Sequence, residues 1–164
     1  PRVFAGYPTE VDVLPESFEP EGVDYWKKVQ KDFRDKFGDD EYEATAQIAK
    51  EIGVGNKVLG LIESIGFKNS ENVYFSGNLE KMICTYCDQR VSPDSIVSLD
   101  KRFEEGSKRF QSHHRVDEIF SNKMNRYLKD IEKEIYKNST IDPGSINEPM
   151  VIPLLPILES VRFG

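Results

Sequence analysis

The sequence predicts an all-α fold: a helical bundle with an extended N-terminal arm, one long C-terminal helix and a proline-rich tail. Three observations carry that prediction. Apolar residues recur three or four apart through residues 23–33, 79–86 and 99–134, the period of one helix face. Glycines at 38, 53 and 66 close the periodic segments where helices favour a left-handed ending. Prolines gather at the two ends of the chain, four of them within residues 1–20, where they punctuate extended or irregular backbone.

Residues 1–20 lack a 3.6-residue period and are expected to form an extended arm. A first helix is expected after Pro20-Glu21, since proline suits a first turn and acids suit the N-terminal end of the dipole. Its apolar face holds Val23, Trp26, Val29 and Phe33, and Gly38 ends it. Asp39 or Asp40 caps a second helix running to Gly53, with Ala44, Ile48, Ala49 and Ile52 facing inward. A third helix covers residues 56–65. Polar residues 68–78, including the ENVYFSG stretch, read as a loop. A fourth helix spans residues 79–90 on an apolar stripe of Leu79, Met82, Ile83 and Tyr86, and Ser92-Pro93 terminates it.

The longest periodic stretch follows. Leu99, Phe103, Gly106, Phe110, His113, Asp117, Phe120, Met124, Tyr127, Ile131 and Glu134 alternate in spacings of four and three. That heptad-like seam predicts one extended helix, with a break near His113, and offers a surface for a homodimer through residues 99–137. Beyond Lys137, Asn-Ser-Thr, Asp-Pro-Gly and further prolines predict a turn-rich tail, 138–164, packed on a single 1–137 domain.

Composition excludes several classes. A chain of 164 residues with 38% hydrophobic and 31% charged side chains is ordinary globular protein rather than disordered chain. No apolar run reaches the roughly 20 residues that cross a bilayer. Two cysteines require no disulfide framework and suggest a reducing cytoplasm. A net charge of −7 disfavours membrane surfaces and non-specific nucleic acid. Within residues 81–137, however, 12 basic side chains outnumber 10 acidic ones. An anionic partner is therefore expected beside Arg90, Lys101 and Arg102, where guanidinium forks suit phosphate oxygens. Arg90 can equally lock the helix end to its own neighbours.

Asp88 is the leading candidate residue. An acid placed late on a buried helix is costly unless a cation meets it. Structural pairing with Arg90 or Arg102 is one answer, and a metal ion is the other. Cys84 and Cys87 form a C-x-x-C inside the same helix, away from the strand-to-helix junction that redox chemistry prefers, and read as small core thiols. His113 and His114 diverge on a helix and chelate poorly as a pair, while His113 with Asp117 is an i, i+4 pair. Glu41 and Glu43 open the second helix, where carboxylates suit the dipole.

The run ICTYCDQRVSPDSIVSLDKRFEEG, residues 83–106, resembles the last conserved segment of HD-domain metal-dependent phosphohydrolases. GDDEYEATAQIAKEIGV (38–54) and VLGLIESIGF (58–67) are similar to that family's preceding helices. The resemblance implies an HD-type bundle and a metal ligand at Asp88. It implies a divalent cofactor (Mn, Mg, Fe or Zn), held by imidazole and carboxylate ligands. The activity implied is hydrolysis of a nucleotide or other small phosphorylated metabolite by metal-activated water, with Arg90, Lys101 and Arg102 binding phosphate. The family's His and His-Asp motifs have no counterpart here: the only histidines are His113 and His114, and Tyr42 stands where some relatives carry a mid-domain His. Two expectations follow: the missing ligands lie upstream of Pro1, or the chain is a catalytically inactive HD-like module serving as a binding or dimerisation domain.

Overall fold

The structure, a computed structural model, describes residues 20–92, 95–111 and 117–160. Among these residues the fold is all-α, with no strand and one isolated bridge between Val91 and Ile96. The chain divides into two compact units, Pro1–Glu63 and Ser64–Gly164, and one cluster of buried apolar residues falls in each.

In the first unit, α1 (Val23–Phe37) ends where expected. Gly38 takes φ +83°, and its N–H donates to the Arg34 carbonyl at 2.9 Å. The next cap is Asp40, whose carboxylate accepts from the N–H groups of Tyr42 at 2.9 Å and Glu43 at 3.0 Å and so starts α2 (Glu41–Glu51). Phe37 and Ala44 form the buried centre, with Phe33 and Ile48 packed on it. Ile52 does not face inward as its periodicity predicted. It follows the last residue of α2, is 75% exposed, and precedes the reversal at Gly53. The third helix, α3 (Asn56–Ile62), closes three residues earlier than its apolar pattern predicted.

The second unit begins with a 3-10 turn (Phe67–Asn69) that runs directly into α4 (Ser70–Ser76). This corrects the loop expected over 68–78. The polar residues there have structural partners: Ser70 donates to the Phe67 carbonyl at 2.7 Å, and Glu71 receives Lys123 Nζ at 2.6 Å and the Tyr127 hydroxyl at 3.1 Å. Gly77, at φ +63°, ends α4, and Asn78 caps the following helix through the Lys81 N–H. That helix, α5 (Leu79–Arg90), has the predicted bounds.

The expected long helix is divided into α6 (Leu99–Gln111) and α7 (Glu118–Tyr136). Asp117 explains the restart: it is no interior seam residue but the N-cap of α7, accepting the Phe120 N–H at 3.0 Å. His113, His114 and any pairing of His113 with Asp117 lie outside the described residues. Leu99, Met124, Leu128 and Ile131 are fully buried and Tyr127 nearly so. Leu99, Leu128 and Ile131 of the seam therefore pack into their own unit, with Val73, Met82 and Tyr86, so these positions are core, whereas Phe120 is 39% exposed. The tail continues as a 3-10 turn (Pro143–Ser145), α8 (Glu148–Val151), a second 3-10 turn (Ile152–Leu154) and α9 (Leu155–Glu159). No helix among the described residues is long and apolar enough to cross a membrane.

Candidate functional site

The last turn of α5 gathers most of the chemistry, and it splits its side chains between the interior and solvent. Arg90 goes inward. It is 5% exposed, and four of its five donors are engaged. Nε donates to the Val97 carbonyl, Nη1 to the Tyr86 hydroxyl and the Pro143 carbonyl (3.2 Å), and Nη2 to the Ile146 carbonyl (3.0 Å). The guanidinium also lies 5.3 Å from the Tyr86 ring centre and 4.0 Å from the Glu132 carboxylate. Arg90 is thus a clasp within the fold rather than the exposed phosphate grip expected of it, since it is buried and four of its donors are committed to the protein.

Tyr86 completes the cluster. Its hydroxyl accepts from Arg90 and donates to Glu132 Oε2 at 2.8 Å. Burial pushes the phenol pKa far above its ordinary value, and the Glu132 carboxylate adds to that, so Tyr86 is a neutral donor. Glu132 is also 3.8 Å from Lys129, which pairs with Asp100 at 2.9 Å and so ties α7 to α6. Glu148, at the start of α8, accepts the Ile96 N–H. That bond and the carboxylate's own backbone N–H hold its pKa below the ordinary range, with Lys101 a smaller contributor. Lys101 is exposed and Arg102 half-buried, so Arg90 is not gathered with them on one phosphate-facing surface.

Asp88 goes outward. It is exposed and accepts Gln89 Nε2 at 2.8 Å, and it is not paired with Arg90. Exposure removes the premise that burial forces a cation onto it. Among the described residues, no three His, Cys, Asp or Glu side chains gather closely enough to hold a metal ion. Asp88 offers one carboxylate, and the described residues alone do not fit a divalent ion.

The rest of the α5 stripe divides in the same way. Met82 and Tyr86 are buried, whereas Leu79 (51%), Ile83 (42%) and Val91 (55%) are exposed together with Cys87. Cys84 is half-buried and unbridged. Partial burial of the Cys87 sulfur raises its pKa, and Cys84 adds to the rise while Arg90 opposes it, so the Cys87 sulfur is not poised as a thiolate. Glu41 and Glu43 are exposed in the first turn of α2, where the dipole accounts for them. In the first unit, an open groove of about 320 Å³ is lined by Asp32, Phe33, Lys36, Phe37, Ile48 and Glu51.

Sequence reasoning missed Tyr86, Glu132 and Glu148. The i, i+4 spacing of Tyr86 and Arg90 was a usable signal, because those positions share a helix face. Comparison with protein-family models, curated proteins and solved structures finds no match.

Proposed function

We propose that this chain is the C-terminal helical part of an HD-type metal-dependent phosphohydrolase. The whole protein would act in the cytoplasm on a nucleotide or other small phosphate ester through a metal-activated water. The resemblance of residues 38–67 and 83–106 supports the family. The observation that carries the reading is the setting of Asp88: an exposed acid on a helix face that also exposes Ile83, Cys87 and Val91. Apolar side chains aligned on one face mark a surface that protein covers. Covering it takes the carboxylate out of water, and a desolvated carboxylate needs a cation. In this reading the cation is a divalent ion (Mn, Mg, Fe or Zn), for which Asp88 supplies one ligand and residues outside those described supply the others. Lys101 and Arg102 remain the candidates to meet the substrate phosphate.

The test is Mn2+ binding by the purified protein, with hydrolysis of a generic phosphate ester alongside. Asp88→Asn is expected to weaken Mn2+ binding at least tenfold and to leave the melting temperature unchanged, because the side chain is exposed. Wild-type protein that takes up no Mn2+, or an Asn variant that binds it equally well, sinks the reading.

A second reading, the inactive dimerisation module, is favoured by the charge pattern of the same face. Lys81, half-buried, and Asp88, exposed, stand seven residues apart along one edge of the exposed α5 face, two turns from each other. Two copies of α5 packed antiparallel about a two-fold axis bring Lys81 of each opposite Asp88 of the other, so a lysine supplies the cation. Here Lys81→Glu and Asp88→Lys each abolish self-association in analytical ultracentrifugation, and mixing the two variants restores it. Wild-type protein that stays monomeric at high concentration excludes this module.

A further inference from the structure

We infer that residues 143–148 form a strap that sets the conformation of the last turn of α5, with Arg90 as the coupling residue. The strap meets both sides of the connection between α5 and α6. Arg90, at the end of α5, donates to the carbonyls of Pro143 and Ile146, while Glu148 accepts the N–H of Ile96 from the far side of the turn. The turn itself is closed by Val97 N–H to the Arg90 carbonyl at 2.8 Å and Ser92 N–H to the Ser95 carbonyl at 2.8 Å. Arg90 Nε also reaches Val97, so one residue joins helix, turn and strap. The contacts between strap and turn each involve a charged group, which makes them stronger than neutral hydrogen bonds.

The strap is internally braced. Asp142 accepts the Gly144 N–H at 3.0 Å, its carbonyl accepts the Ser145 N–H at 2.9 Å, and Asn147 caps α8 through the Met150 N–H. It therefore docks or leaves as a unit. Directly after it come Met150, Ile152, Leu154, Leu155 and Ile157, all exposed, with no charged residue between Glu148 and Glu159. Whatever engages that apolar row pulls on Glu148 and, through Arg90, on the turn that carries Asp88. The link is mechanical and stands apart from the proposed activity.

Backbone hydrogen exchange on the full chain tests it. Glu148→Ala is expected to speed exchange at least tenfold at Ile96, in residues 143–151 and in residues 89–91, and to leave α4 at wild-type rates. Glu148→Gln keeps an oxygen acceptor for the Ile96 N–H and is expected to restore protection. Arg90→Lys, with a single donor head in place of the fork, gives the Glu148→Ala pattern. Acceleration confined to the tail, or none anywhere, overturns the coupling whether or not the protein binds metal.

Discussion

Replacing Arg90 with methionine is expected to lower the unfolding free energy of the Ser64–Gly164 unit by about 3–5 kcal/mol. Methionine keeps much of the apolar stem and removes the fork. The carbonyls of Val97, Pro143 and Ile146 lose a charged donor, and the Tyr86 hydroxyl loses the group it accepts from. Glu132, with only 18% of its side chain exposed, keeps its bond from Tyr86 but loses the cation 4.0 Å away. A buried acceptor left without its donor costs more than the bond itself contributed, and here several are left at once. Urea unfolding followed by far-UV circular dichroism measures the loss. A change below about 1 kcal/mol means that the clasp carries little of the fold, and the strap argument weakens with it.

That the decisive residue turns inward was only partly legible in the sequence. The bounds of α5 follow from local chemistry: an Asn cap at position 78, apolar spacing through Tyr86, and a Ser-Pro break beyond Val91. The same local logic places α1, Gly38 and the Asp40 cap. The direction taken by Arg90 is different, because two of its acceptors are backbone carbonyls 53 and 56 residues away, and a carbonyl has no signature in a sequence. The α4 segment was misjudged for a related reason. Polarity normally marks loops, but Glu71 is polar because Lys123 and Tyr127 meet it 52 and 56 residues later. The break expected near His113 is matched by a restart at α7, but its cap was missed: Asp117 opens an apolar run and is a good cap, yet the heptad-like spacing sets it in the seam. The candidate site divides along the same line. Residue identity singled out Asp88, but whether it is wet or dry depends on what covers α5.

The second large effect separates the two kinds of apolar position that looked alike in sequence. Leu128→Ala is expected to cost about 2–5 kcal/mol, and Ile83→Ala less than about 0.5 kcal/mol. Leu128 is fully buried in a cluster with Val73, Met82, Tyr86, Leu99 and Ile131, so truncation loses the transfer of its methyl groups and leaves a cavity that its neighbours cannot fill without strain. Ile83 lies on α5, within the same apolar stripe as Met82, but is 42% exposed. Truncating it removes side chain that water already reaches, and no cavity forms. The comparison bears directly on function, since a residue that stability does not require is available to a binding partner. An Ile83→Ala loss approaching that of Leu128→Ala would mean that the α5 face is covered within the chain itself. Asp88 would then have no exposed docking surface around it, and both the metal-sharing and the self-pairing readings would lose their footing.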